Sequence, residues 1–210
     1  KNMVESQVRP NDVTDRRILR AMLDIPRERF LPADKASMAY ADTEIVLAPG
    51  NVRAQMAPRT LAKLLQLAAP EAGEKVLDVG SAGGYSAAVL AHLAGEVVAL
   101  EPDTALAAMA KTALESTKVT NAKVVTGELT QGQPGGAFDL IVIEGAVGEI
   151  PEALIGQLRD GGRLVAFVDR GRLADAVLIR RHGKATSESV GFSSSAPRLP
   201  GFERAARFVL

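Results

Sequence analysis

The chain contains no cysteine and only two histidines, His92 and His182, in 210 residues. Without cysteine there is no disulfide, no thiolate nucleophile and no cysteine-bound zinc. Two histidines so far apart in sequence do not make a histidine-rich centre, so no metal is expected. Net charge is also lacking, because 25 Lys and Arg offset 25 Asp and Glu. No global attraction to nucleic acid or to an anionic membrane follows from such a balance. No apolar run reaches the roughly 20 residues of a membrane span, and the opening KNMVESQVRP has no apolar signal core. These absences predict a cytoplasmic protein that binds neither nucleic acid nor membrane; a monomer or weak homo-oligomer is the expectation, though no residue pattern specifies it.

What is present is an apolar content of 47%, ample for a core, in a length that suits a single domain over 1–210. Residues 1–60 read as a mostly helical segment. Asn11 or Thr14 is placed to cap a helix carrying Ile18, Leu19, Met22 and Leu23 at helical spacing. Pro26 ends that helix, Pro49-Gly50 marks a turn, and Pro58 suits the first turn of a helix with Leu61, Leu64, Leu65 and Ala68 on one face. From residue 75 onward, strands at 75–79, 96–100, 123–126, 140–144 and 163–168 alternate with helices at 85–93, 104–116 and 150–158. Such alternation predicts a parallel sheet covered on both faces. Two further strands, near 176–181 and 186–191, flank His182-Gly183-Lys184 and close the chain as an antiparallel hairpin. The expected fold is therefore α/β, a doubly wound and mostly parallel seven-stranded sheet, with 75–210 as its ligand-binding core.

The stretch VLDVGSAGGYSAAVLAH (76–92) is strand, glycine turn and helix, which brings several backbone N–H groups to one point. A dinucleotide fold needs G-x-G-x-x-G there. From Gly80 this chain reads G-S-A-G-G-Y, with Ala82 where the second glycine would let a pyrophosphate approach. Asp78, two residues before Gly80, repels a phosphate and attracts a cation. Glu101 lies 21 residues after Gly80, where a carboxylate at a strand end can accept both hydroxyls of a ribose. A ligand with a ribose, a positive charge and no phosphate fits these residues, which points to S-adenosylmethionine rather than NAD. In VVTGELT (124–130), Glu128 follows the third strand and is placed to take an adenine amino group.

With these motifs in place, the chain resembles the class I methyltransferases and, in particular, the protein-L-isoaspartate O-methyltransferase family. VESQVRPNDVTDRRILRAMLDIPRERFLP resembles that family's amino-terminal segment, VLDVGSAGGYSAAVLAHL its cofactor loop, and IVIEGAVGEIPEALIGQLRDGGRLV its late strand, helix and glycine turn. The resemblance implies that Asp78, Gly80, Ser81, Ala82, Gly84, Glu101 and Glu128 contact S-adenosylmethionine. It also implies a protein or peptide substrate carrying isoaspartyl residues, and hence protein repair.

The chain departs from the family upstream of that loop. The family has a T-I-S-x-P stretch whose serine hydroxyl stands beside the transferring methyl group. Here the sequence is Ala54-Gln55-Met56-Ala57-Pro58, so Met56 falls on the serine and offers no hydrogen bond. Gly148 likewise replaces a usual proline. Arg53 and Thr60, with Arg59, are the nearest residues able to hold an acceptor carboxylate in the serine's place. Isoaspartyl activity is then expected to be weak unless one of them does so. The alternatives are a different methyl acceptor, or a cofactor-binding protein without catalysis.

Overall fold

The computed structural model describes residues 1–48 and 53–203. The amino-terminal segment is a succession of short helical turns around one regular helix, α1 (Arg16–Asp24). Its cap is Asp15, whose carboxylate accepts from the Arg17 backbone N–H at 2.8 Å, rather than Asn11 or Thr14. Asn11 instead donates to the Gln7 carbonyl, and the Thr14 N–H is taken by Gln66. Ile18, Leu19, Ala21 and Met22 are buried, whereas Leu23, expected on the same face, is exposed. A 3₁₀ turn, Arg27–Phe30, follows Pro26 and delivers Phe30 edge-on to Tyr85, with ring centroids 5.8 Å apart.

A two-stranded antiparallel hairpin comes next, β1 (Ile45–Ala48) and β2 (Arg53–Gln55). Strands this short carry too few alternations to be read from periodicity. The expected Pro49-Gly50 turn lies outside the described residues. Helix α2 (Pro58–Ala68) starts on its proline and buries Leu61, Leu64, Leu65 and Ala68 as its pattern predicts.

The main sheet has seven strands in the order β5-β4-β3-β6-β7-β8-β9. In chain order its elements are β3 (Lys75–Val79), α3 (Tyr85–Ala91), β4 (Glu96–Leu100), α4 (Thr104–Ser116), β5 (Ala122–Val125), β6 (Phe138–Val147), α5 (Glu152–Ile155), β7 (Leu158–Asp169), β8 (Ala174–His182) and β9 (Ala185–Ser194). Strands β5 to β7 run parallel, and β8 and β9 run antiparallel, joined where His182 pairs with Ala185 across Gly183-Lys184. The helix expected over 150–158 is only α5, because Leu158 already pairs with Phe138 and draws the following residues into β7.

The pleat decides which side chains meet. Val76, Val97, Ala99, Leu140 and Val142 face the core shared with α1, α2 and α3, while Leu77, Val79, Val98, Ile141 and Ile143 face the opposite core with Leu154, Leu199 and Phe202. By the same two-residue period, Asp78 and Glu144, and Glu101 just past β4, fall on the α2–α3 side. Three acidic residues thus reach one face at the carboxyl ends of adjacent strands, beside the point where the strand order reverses. In open α/β sheets this is where ligands bind.

Candidate active site

Asp78 sits inside β3, level with Ala99 and Val142 of the neighbouring strands, and is fully buried. The Ser86 hydroxyl donates to its Oδ2 at 2.7 Å, while Oδ1 has no hydrogen-bond partner among the described residues. Burial raises its pKa to about 7, against the opposing effect of Ser86. Glu144, two residues beyond Val142 on β6, is buried, with its Oε1 unpaired among the described residues. Burial first, and Asp78 second, lift its carboxyl well above the usual range. Charged carboxylates removed from water this way are costly unless a cation joins them.

Glu101 is the carboxylate that does have its cation. Arg53, the first residue of β2, donates Nε to Oε1 at 3.1 Å and Nη2 to Oε2 at 2.5 Å, a forked pair with both side chains almost wholly buried. The Ala82 N–H adds a donor to Oε2 at 2.8 Å and the Asp103 N–H one to Oε1 at 3.2 Å. Glu101 therefore ties three pieces of chain together: the hairpin, the glycine loop and the start of α4.

The glycine loop is compressed against the amino-terminal segment. A Cβ on Gly83 would lie 2.2 Å from the Phe30 carbonyl oxygen, so only glycine fits there. Gly80 and Gly84 have φ of 82° and 89°, and Ala82 has φ of 50°. Ala82 thus holds a left-handed conformation that a side chain disfavours. Ser81 Oγ, in the same turn, is buried and unpaired among the described residues.

A second guanidinium completes the site. Arg27 has no exposed surface, lies 4.8 Å from the Tyr85 ring centroid, and donates Nη2 to the Met56 carbonyl at 2.6 Å. Among the described residues its Nε and Nη1 have no hydrogen-bond partner, nor has either end of the Gln55 amide. Burial lowers the Arg27 pKa, with Tyr85 and Glu144 countering it. Between these groups lies a hollow of about 10 Å³ walled by Gln55, Met56, Ser81, Ala82, Ser86 and Glu144, room for about one water.

Of the residues singled out in the sequence, Arg53, Met56, Asp78, Gly80, Ser81, Ala82 and Glu101 meet here. Met56 is buried in the α1–α3 core and also lines the hollow. Thr60 is buried on α2, while Arg59 is half-exposed and pairs with Asp42 at 3.4 Å. Glu128 is exposed just beyond β5, outside the buried cluster. Sequence reading missed Arg27, Gln55 and Glu144. Glu144 had a signal, an acid ending the apolar run LIVI. Arg27 had none, since PRER reads as surface charge.

The family model described as protein-L-isoaspartate(D-aspartate) O-methyltransferase matches residues 1–192. A protein-L-isoaspartate O-methyltransferase of Methanoculleus marisnigri is 37% identical over 204 residues, 96% of this chain and 92% of that one. One of Koribacter versatilis is 38% identical over 180 residues, 85% and 80% of the two chains. Among solved structures, a protein-L-isoaspartate O-methyltransferase superposes with a TM-score of 0.81 at 26% identity, over 93% of this chain and 64% of that one. A Plasmodium falciparum protein, solved in complex with S-adenosyl-L-homocysteine, gives a TM-score of 0.80 at 20% identity, over 94% and 96% of the two chains.

Proposed function

We propose, from the premise that this chain belongs to the protein-L-isoaspartate(D-aspartate) O-methyltransferase family, that it methylates the free carboxylate of isoaspartyl residues in proteins. The family makes it an S-adenosylmethionine-dependent methyltransferase. One observation carries the reading. Three buried carboxylates and two buried guanidiniums converge at the carboxyl ends of β3, β4 and β6, with several polar atoms unspent. Buried polar atoms without partners are rare in folded proteins, and a catalytic or binding role is one of the few things that explains them.

The residues fit the cofactor. S-adenosylmethionine is a cation with a ribose and no phosphate; Glu144 lines the hollow, Asp78 is buried on β3 and Glu101 just past β4, and Asp78 Oδ1 and Ser81 Oγ are unpaired among the described residues. In this reading Asp78, Gly80, Ser81, Ala82 and Gly84 form the cofactor's bed, Glu101 takes the ribose hydroxyls and Glu128 takes the adenine from the rim. When bound, the cofactor supplies a methyl group on a positively charged sulfur. Residues 1–60 form the acceptor side and 75–210 the cofactor side of a single domain.

What remains for the chain is alignment. An isoaspartyl carboxylate has a pKa near 4 and is already ionised at neutral pH, so no general base is needed. Opposite charges cancel along the reaction, which favours a dry and rigid pocket. Holding the two reactants in line is worth several kcal/mol. Met56 offers no donor for the acceptor, so Arg53 and Thr60 carry that task. The shared name of the relatives favours the isoaspartyl acceptor over another acceptor or a non-catalytic role.

Methyl transfer from labelled S-adenosylmethionine to paired peptides tests this reading. A peptide with isoaspartate should become labelled in a base-labile form that releases methanol, and the same sequence with ordinary aspartate should not. Equal labelling of both peptides, or of neither, would reject the isoaspartyl acceptor.

A further inference from the structure

We infer that Glu101 is a shared partner. Its carboxylate holds either Arg53 or the cofactor's ribose, and the guanidinium released by the ribose becomes the holder of the acceptor carboxylate. The inference rests on the cofactor reading above and adds an order to it.

The first ground is a count of acceptor sites. An ionised carboxylate offers about four lone-pair positions, and Glu101 already receives four donors: Arg53 Nε, Arg53 Nη2, and the N–H groups of Ala82 and Asp103. A ribose diol needs two of those positions. The two backbone donors are fixed by the glycine loop and by the turn into α4. Only the arginine is carried by a side chain that can swing away. The second ground is position. A Cβ on Gly80 would lie 3.3 Å from Arg53 Nη2, so the guanidinium lies close over the loop that forms the cofactor's bed. A ligand settling there displaces it.

Displacement leaves a buried cation without its counter-ion, which is strongly unfavourable. The substrate brings the remedy. Its reacting group is an anion, and Arg53 stands on β2 three residues before Met56, next to the hollow. A guanidinium matches a carboxylate with two parallel hydrogen bonds. Cofactor and acceptor should therefore bind with positive coupling, each strengthening the other by the same factor.

The test uses S-adenosylhomocysteine as the probe and needs no turnover. In protein labelled with ¹⁵N-arginine, the Arg53 Nε–H resonance is identified by its loss in Arg53→Met or, should that variant fold poorly, in Arg53→Lys. Adding S-adenosylhomocysteine to the unsubstituted protein should move that resonance from its ion-paired position. Calorimetry should find Arg53→Met binding S-adenosylhomocysteine about tenfold tighter, the scale of one charged hydrogen bond no longer lost. In the unsubstituted protein, S-adenosylhomocysteine should tighten an isoaspartyl peptide about fivefold or more, the usual lower range of coupling between sites, and Arg53→Met should abolish that gain. Binding that leaves the Arg53 resonance in place, or equal affinity in the variant, overturns the exchange while leaving the cofactor reading intact. A shifted resonance without peptide coupling overturns the acceptor half, with Arg53 then turning to Glu144 instead. Failure of both proteins to bind S-adenosylhomocysteine rejects the cofactor reading itself, and the exchange with it.

Discussion

The two walls of the site are built on different terms. The wall from β3 to the start of α4 is backbone-rich: a parallel strand, a glycine turn and N–H groups aimed at carboxylates at fixed strand positions. The wall from β2 to the start of α2 is made of side chains from separate elements, in which Arg53 reaches to Glu101 and Arg27 reaches back to the Met56 carbonyl. The first wall is specified by spacing along one stretch of chain, and the second only by tertiary contact. A departure from the family pattern at Met56 therefore does not mean an empty acceptor side. Two buried guanidiniums, Arg53 and Arg27, stand beside it.

The largest expected effect comes from cutting the forked ion pair between Arg53 and Glu101 that joins the walls. Glu101→Ala leaves Arg53 buried without a counter-ion, and denaturant unfolding should show a loss of about 3–5 kcal/mol. A loss below about 1 kcal/mol, the worth of an exposed pair, would mean that the walls are not joined in this way. Next in size is Met56→Ser, which restores the family's hydroxyl at a core position. Truncating a buried methionine should cost about 2–4 kcal/mol of stability. Methylation of an isoaspartyl peptide should stay within about tenfold of the unsubstituted rate, one hydrogen bond's worth. A much larger rate gain would show the hydroxyl to be what the second wall lacks.

Titration separates the walls as well. Asp78 keeps its proton in the folded chain up to about pH 7 because of burial, whereas an unfolded aspartate releases it near pH 4. Between those values the folded state binds more protons, so stability falls as pH rises through the window. The share of the slope from Asp78 alone should approach about 1.4 kcal/mol per pH unit at most. Glu144 adds to the slope in the same direction. Asp78→Asn should flatten the profile measured by denaturation from pH 4 to 8, and an unchanged profile would remove Asp78 as its source. The smallest effect belongs to the loop. Ala82→Gly relieves a φ of 50° and should change stability by less than about 1 kcal/mol, since the strain relieved is set against the extra freedom of the unfolded chain.

Much of the first wall was legible because its chemistry follows local rules. A short apolar strand broken only by an acid two residues before the turn, and a second acid one strand later, point to both the fold and the carboxylates. The seven-stranded sheet and its closing hairpin follow from the same alternation of patterns. The second wall was only partly legible. Arg53 was chosen for being near Met56, but its pairing with Glu101 spans 48 positions and no local pattern encodes it. Arg27 lies in a charge-dense stretch, where an arginine held under Tyr85 reads the same as one in water. The short β1–β2 hairpin and the shrinking of α5 escaped for a related reason. Four or fewer residues of strand carry little period, and Leu158 is claimed by β6 rather than by its own helix.

The most direct test of the central claim, that carboxylates at these strand ends receive a ribose-bearing cation and not a phosphate, is a calorimetric titration of the unsubstituted protein. S-adenosylmethionine and, in parallel, NAD would be the ligands. Saturable binding of S-adenosylmethionine with no heat from NAD is the predicted result. Binding of NAD in the absence of any binding by S-adenosylmethionine would contradict the account.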